Sequence, residues 1–226
     1  MSNIRTLIHL NECLSTDLSW RKKELSILKG LIETKSFDKS KRNALIRSGI
    51  TLLYAHWEGY IKCAASAYLE FVSNVARQGN LKYDDLTYNF IAIAMKSELN
   101  KASSTNQASI HNEVVKFLIE GIDKRANIPT QDVIKTDSNL SSKVLYQMLI
   151  LLGIDHKPYE IEQVLIDKKL LEKRNMIAHG EYLDTDTESY QKMHEKIISM
   201  MNLFKDQVEN NAAQKLYLQS SKSISD

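Results

Sequence analysis

Apolar residues recur along most of this chain at spacings of three, four and seven, the period of a helix that buries one face. Leu7, Leu10, Leu14, Leu18, Leu25, Leu28 and Ile32 mark a first helix over about residues 3–34. Ser36-Phe37-Asp38 interrupts it, and Asp38 or Ser40 is placed to cap a second helix. The pattern of that second helix, about 39–77, runs through Ile46, Ile50, Leu53, Trp57, Ile61, Ala64, Tyr68, Val72 and Val75 without a break. It predicts one helix of about ten turns, the spine of a bundle. Shorter helical patterns come next, at about 83–101 and 108–122. The stretch 123–137 is irregular and reads as an excursion between helices, close to a substrate. A helix over about 139–152 carries Leu140, Val144, Leu145, Met148 and Leu152 and stops at Gly153. Another, Tyr159 to His179, turns Ile161, Val164, Leu165, Leu171 and Ile177 inward and ends at Gly180, where a left-handed residue suits a helix terminus. A final helix, about 187–217, starts after Thr185 or Asp186 as cap and faces Tyr190, Met193, Ile197, Met200, Met201, Phe204 and Val208 to the core. Met193, Met200 and Met201 suit a packing or dimer surface rather than a cofactor box.

Composition agrees with an all-α reading. Only 7 glycines and 2 prolines occur in 226 residues, and 43% of the residues are hydrophobic. The expectation is a helical bundle of about seven helices with a long central helix, in one domain over 1–218 with a polar tail at 219–226. Cys13 and Cys63 cannot make a disulfide framework, and no Cys/His spacing suggests zinc, so neither metal nor cofactor is expected. The chain opens without a basic-apolar leader and has no apolar run near the length of a membrane span. A cytoplasmic protein with reduced thiols and no membrane partner is expected.

A net charge of +2 does not by itself mark a nucleic-acid protein. The first 62 residues are more basic, with 11 Lys/Arg against 6 Asp/Glu. They form either a face that steers RNA or a solvated helix surface.

Chemistry concentrates in Glu172-Lys173-Arg174-Asn175-Met176-Ile177-Ala178-His179-Gly180-Glu181. A guanidinium grips a phosphate by paired hydrogen bonds, and an imidazole moves protons near neutral pH. Asn175 and His179 are four apart and share a helix face. Arg174 and His179 are five apart, about 140° around a regular helix, so the end at Gly180 is needed for the arginine to curl toward the histidine. A helix C-terminus favours positive charge, a setting that suits a general acid or a phosphate ligand. On the long helix, Arg47, Tyr54 and Glu58 lie seven and four apart on one stripe and are auxiliary candidates. Glu58 either orients Arg174 or His179 or makes a structural ion pair with Arg47 or Lys62. His56 lies on a different face from Glu58 and reads as structural, and Trp57 as core.

The string Leu171 to Glu181 resembles the R-x(4–6)-H signature of the HEPN superfamily, in which asparagine often comes after the arginine. Leu52-Leu53-Tyr54-Ala55-His56-Trp57-Glu58-Gly59-Tyr60-Ile61-Lys62 and the stretch from Ser138-Asn139-Leu140 to Leu152-Gly153-Ile154-Asp155 are also similar to it. Order and spacing look like the stand-alone prokaryotic MAE-type group, over about residues 40–205. The resemblance implies a metal-independent endoribonuclease in a toxin-antitoxin or antiviral setting. It implies a homodimer in which two motifs meet as one composite site, and an antitoxin or ATPase as a further partner. Arg174 would bind the scissile phosphate of the RNA substrate, and His179 would be acid or base as the 2′-OH attacks. Asn175 would orient substrate or histidine. The products would be a 2′,3′-cyclic phosphate and a 5′-OH. The resemblance equally admits a non-catalytic nucleotide- or RNA-binding module partnering an ATPase or nuclease.

Overall fold

The computed structural model describes residues 4–136 and 139–219. Most of the expected polar tail, residues 220–226, lies outside the described residues, as do Asp137 and Ser138. Nine α-helices are present among the described residues, and pairing between extended segments is limited to two isolated bridges, Lys82 with Arg125 and Leu86 with Leu218.

α1 (Leu7–Ile32) starts where the Thr6 side chain accepts the His9 N–H at 3.2 Å. Its Leu10, Leu14, Leu18, Leu25 and Ile32 are buried, while Leu7 and Leu28 pack at the edge of the core. α2 (Lys39–Gln78) is capped by Asp38, which accepts the Lys41 N–H at 2.8 Å. At 40 residues it is about 60 Å long, and its expected stripe is buried from Ile46 to Val72. Asn80, at φ 50°, takes the left-handed position that closes it, and Leu81 donates back to Ala76 O at 2.9 Å.

The middle of the chain is more broken than the sequence pattern predicts. The 83–101 pattern resolves into a 3-10 turn (Tyr83–Asp85), α3 (Tyr88–Ala94) and α4 (Lys96–Ser103). Met95, which ends α3 and starts α4, is buried in the core, and holding it there bends the chain without glycine or proline. α5 (Ala108–Lys116) runs into a π-helical turn, Phe117–Gly121. Residues 123–136 form the expected irregular excursion, pinned by buried Ile128, Val133 and Ile134. α6 (Ser142–Leu152) begins three residues later than expected, capped by Ser141, and ends at Gly153 with φ 66°.

The motif segment comprises α7 (Lys157–Glu160), a π-helical stretch (Leu165–Glu172) and α8 (Lys173–Ala178). The wider i→i+5 winding brings Leu165 and Leu170 to the same buried face, with Ile166 beside them. Ile161 and Val164, expected inward, lie before this stretch and are 82% and 63% exposed. α9 (Thr187–Ala213) is capped by Asp186, which accepts the Ser189 N–H at 2.8 Å. All its expected apolar positions are buried. Met193, Met200 and Met201 therefore pack inside the chain and cannot be a dimer surface.

α1, α2 and α9 pack on one another as the main bundle, α8 lies on α2, and α3 lies on α6. At Gly49 the three long helices approach so closely that a Cβ would stand 2.8 Å from the Tyr190 ring and 2.9 Å from Ile32.

Candidate functional site

The end of α8 is a Schellman closure. Gly180 N–H donates to Ile177 O at 3.1 Å and Glu181 N–H to Met176 O at 2.9 Å, with Gly180 at φ 79°. This fixes His179 as the C-cap residue just past α8, its N–H on Asn175 O at 2.9 Å and its side chain exposed. Arg47, on α2, donates to Glu181 O at 2.7 Å and so ties the chain leaving the motif to the central helix.

Arg174 does not curl toward His179, and no hydrogen bond joins them. It turns instead toward α2 and the lead-in to α6. Its guanidinium carbon sits 4.0 Å from the centre of the Tyr54 ring, and Nη2 donates to Asn139 Oδ1. Its Nε is buried without an acceptor among the described residues. The Tyr54 hydroxyl accepts the Leu140 N–H at 2.7 Å. Burial pushes the pKa of that hydroxyl above its ordinary value, against the pull of the Leu140 hydrogen bond and the adjacent Arg174. Tyr54 thus stays neutral and holds the arginine and the Asn139–Leu140 segment at once.

A second link lies further up the motif segment. Asp167 accepts the Ser142 N–H at 2.7 Å and its hydroxyl at 2.5 Å, satisfying the start of α6. The stretch 139–142 is therefore fastened to the motif segment at Asp167 and Arg174, and to α2 at Tyr54. Of the remaining candidates, Asn175 is half-buried, and among the described residues its side chain has no hydrogen bond. Glu58 is half-buried one turn beyond Tyr54 and makes no ion pair among the described residues, so neither Arg47 nor Lys62 is its partner.

A groove of about 960 Å³ runs between the motif segment and α9, with Lys169, Lys173, Lys192 and Lys196 along it. Lys173 reaches Thr185 Oγ1 at 3.4 Å, while Lys192 and Lys196 meet Glu188 and Glu162 at 2.5 and 2.7 Å. Much of the basic excess in the first 62 residues is engaged within the chain. Arg21 pairs with Asp17, Arg42 donates to the carbonyls of Thr34, Lys35 and Phe37, and Arg47 to that of Glu181. His56 is buried between α1 and α2, with Nε2 2.6 Å from Glu24, a structural placement. Burial raises both thiols, Cys63 to about 12, so neither is a ready nucleophile. Among the described residues no group of three or more His, Cys, Asp and Glu is placed to hold a metal. No helix among them is long and apolar enough to cross a membrane.

The family model described as HEPN_MAE_28990-like HEPN matches residues 10–217, from the first helix to beyond the last. The chain belongs to this HEPN family. No curated protein and no solved structure matches it. Membership points to a nuclease or an RNA-related module, and the all-helical bundle is the HEPN architecture. Within this HEPN chain the Arg174 cluster includes two residues that sequence reasoning did not single out, Asn139 and Asp167. Asp167 lies seven residues before Arg174, two turns on an ordinary helix, and that spacing was the available signal. Asn139 sits in a stretch already similar to HEPN proteins, but its contact with Arg174 spans 35 residues and has no local signature.

Proposed function

We propose that this HEPN protein is a metal-independent endoribonuclease centred on Arg174, Asn175 and His179. The observation that carries this reading is the state of Arg174. It is a partly buried cation, fixed in place, with no carboxylate partner among the described residues. Buried charges are ordinarily paired, so a guanidinium oriented by neutral groups is suited to an anion that comes from outside. His179 stands exposed just over one turn along, where a substrate can reach its ring.

In the proposed reaction the ribose 2′-oxygen forms a bond to phosphorus and the bond to the 5′-oxygen breaks. One base accepts the 2′-OH proton, and one acid protonates the leaving 5′-oxygen. The products are a 2′,3′-cyclic phosphate and a 5′-OH. A single His179 supplies one of these roles, and a second copy of the chain would supply the other by symmetry. Arg174 of each copy would offset charge on the phosphoryl oxygens. DNA, lacking the 2′-OH, should resist. A toxin-antitoxin or antiviral role, with an antitoxin or ATPase as partner, fits such an activity.

The test is cleavage of a mixed RNA pool in excess EDTA. Wild type should leave cyclic phosphate ends, and His179→Ala and Arg174→Ala should each lose the activity. Equal cutting by His179→Ala would overturn the assignment. RNA binding without cutting by the wild type would favour the alternative of a non-catalytic nucleotide- or RNA-binding module.

A further inference from the structure

We propose that Asn139 and Tyr54 are positioning residues that fix the direction of the Arg174 guanidinium while leaving its charge unneutralised for an RNA phosphate. The inference rests on the ribonuclease or RNA-binding reading of Arg174. Among the described residues, the two groups that hold the guanidinium are neutral, a carboxamide oxygen on Nη2 and the face of an aromatic ring. The amide must present its oxygen here, since its NH2 would oppose another donor. A carboxylate at either place would hold the arginine more strongly and cancel its charge.

Among the described residues, two carboxylates on the elements that carry these groups, Asp167 and Glu58, make no ion pair with Arg174. Asp167, on the motif segment, has its two oxygens on the backbone and hydroxyl of Ser142. Glu58, one turn from Tyr54 on α2, makes no ion pair among the described residues. The backbone of Asn139 is itself held by hydrogen bonds. Its N–H donates to Thr136 O at 2.8 Å, its carbonyl accepts from Ser141 at 2.9 Å, and Leu140 is held by the Tyr54 hydroxyl. An acceptor so constrained gives the arginine one direction, which is what pre-organised binding of a phosphate requires.

The discriminating substitution is Asn139→Asp, which keeps size and strengthens the contact while neutralising Arg174. Binding is read with a fluorescent 2′-O-methyl RNA oligonucleotide, which cannot be cut, across a range of salt, and cleavage with the unmodified RNA. Asn139→Asp should melt no lower than wild type, yet bind and cleave at least about ten-fold less well. The slope of log affinity against log salt should flatten by about 0.7 per lost phosphate contact, as for Arg174→Ala. A merely structural asparagine would not change that slope. Asn139→Ala, which keeps the charge but frees the arginine, should lower kcat more than it raises KM. Tyr54→Phe, which keeps the ring face, should retain more activity than Tyr54→Leu. If Asn139→Asp fails to fold, Asn139→Ala and the tyrosine pair still decide the question.

Wild-type binding and slope in Asn139→Asp, beside loss in Arg174→Ala, would overturn the positioning role and leave the reading of Arg174 intact. No loss in Arg174→Ala, or no RNA binding by the wild type, would overturn both.

Discussion

Replacing Arg174 by lysine keeps one positive charge and removes everything else that places it. An ammonium has no planar face for Tyr54 and no second edge to offer a phosphate while one donor rests on Asn139. Arg174→Lys is therefore expected to lose about ten-fold or more in kcat/KM, about 1.4 kcal/mol of transition-state stabilisation. Steady-state cleavage of a defined RNA checks this, and full activity in the variant would mean that charge alone suffices. At this scale the sequence was a partial guide. Arg174, Asn175 and His179 stood out because arginine, asparagine and histidine before a helix-ending glycine are a chemical pattern in the chain itself. Of the partners of Arg174, Tyr54 stood out only as one of three auxiliary candidates on the α2 stripe, and Asn139 was not singled out. The Tyr54 hydroxyl meets the Leu140 backbone across 86 residues, and no periodicity encodes such a meeting.

Elements were legible in proportion to how much regular apolar surface they bury. α1, α2 and α9 each carry an unbroken stripe, and their predicted inward faces lie in the core. α4 and α5 contain no buried residue, and the break at Met95 has no glycine or proline to announce it. The π-helical winding before α8 was not legible at all, because its residues are ordinary helix formers and only the hydrogen-bond register differs. Where the three long helices meet, Gly49 has no room for a side chain. Its replacement by alanine should push Tyr190 or Ile32 out of place and destabilise the fold by about 1–3 kcal/mol. Denaturant unfolding of Gly49→Ala against wild type measures this. An unchanged midpoint would show that the tyrosine ring yields freely.

The whole molecule should lose stability in mild acid. His194 is buried on α9 beside Tyr190, and burial lowers its pKa, with Lys29 adding to the effect. His56 is shifted in the same direction, chiefly by burial, against the pull of Glu24. A histidine kept neutral in the fold takes up its proton more readily when unfolded. Stability is thus full above the unfolded value of about 6.5 and falls as the pH drops below it toward the lower folded values. The melting temperature should be lower near pH 5.5 than near pH 7.5, and His194→Gln should reduce that difference. An equal or larger difference in the variant would exonerate His194.

The segment 139–142 is fastened to the motif segment at two points, Asp167 inside the π-helical stretch and Arg174 just beyond it. Those two anchors fit only one count of residues. Losing one residue from this interval, for instance the outward Lys168, would rotate everything downstream by about a quarter turn. Asp167 would still meet Ser142, but Arg174 would swing away from Tyr54 and Asn139. A lineage can vary the surface letters of this interval, but a single lost codon would spare every residue of the site and still disconnect it.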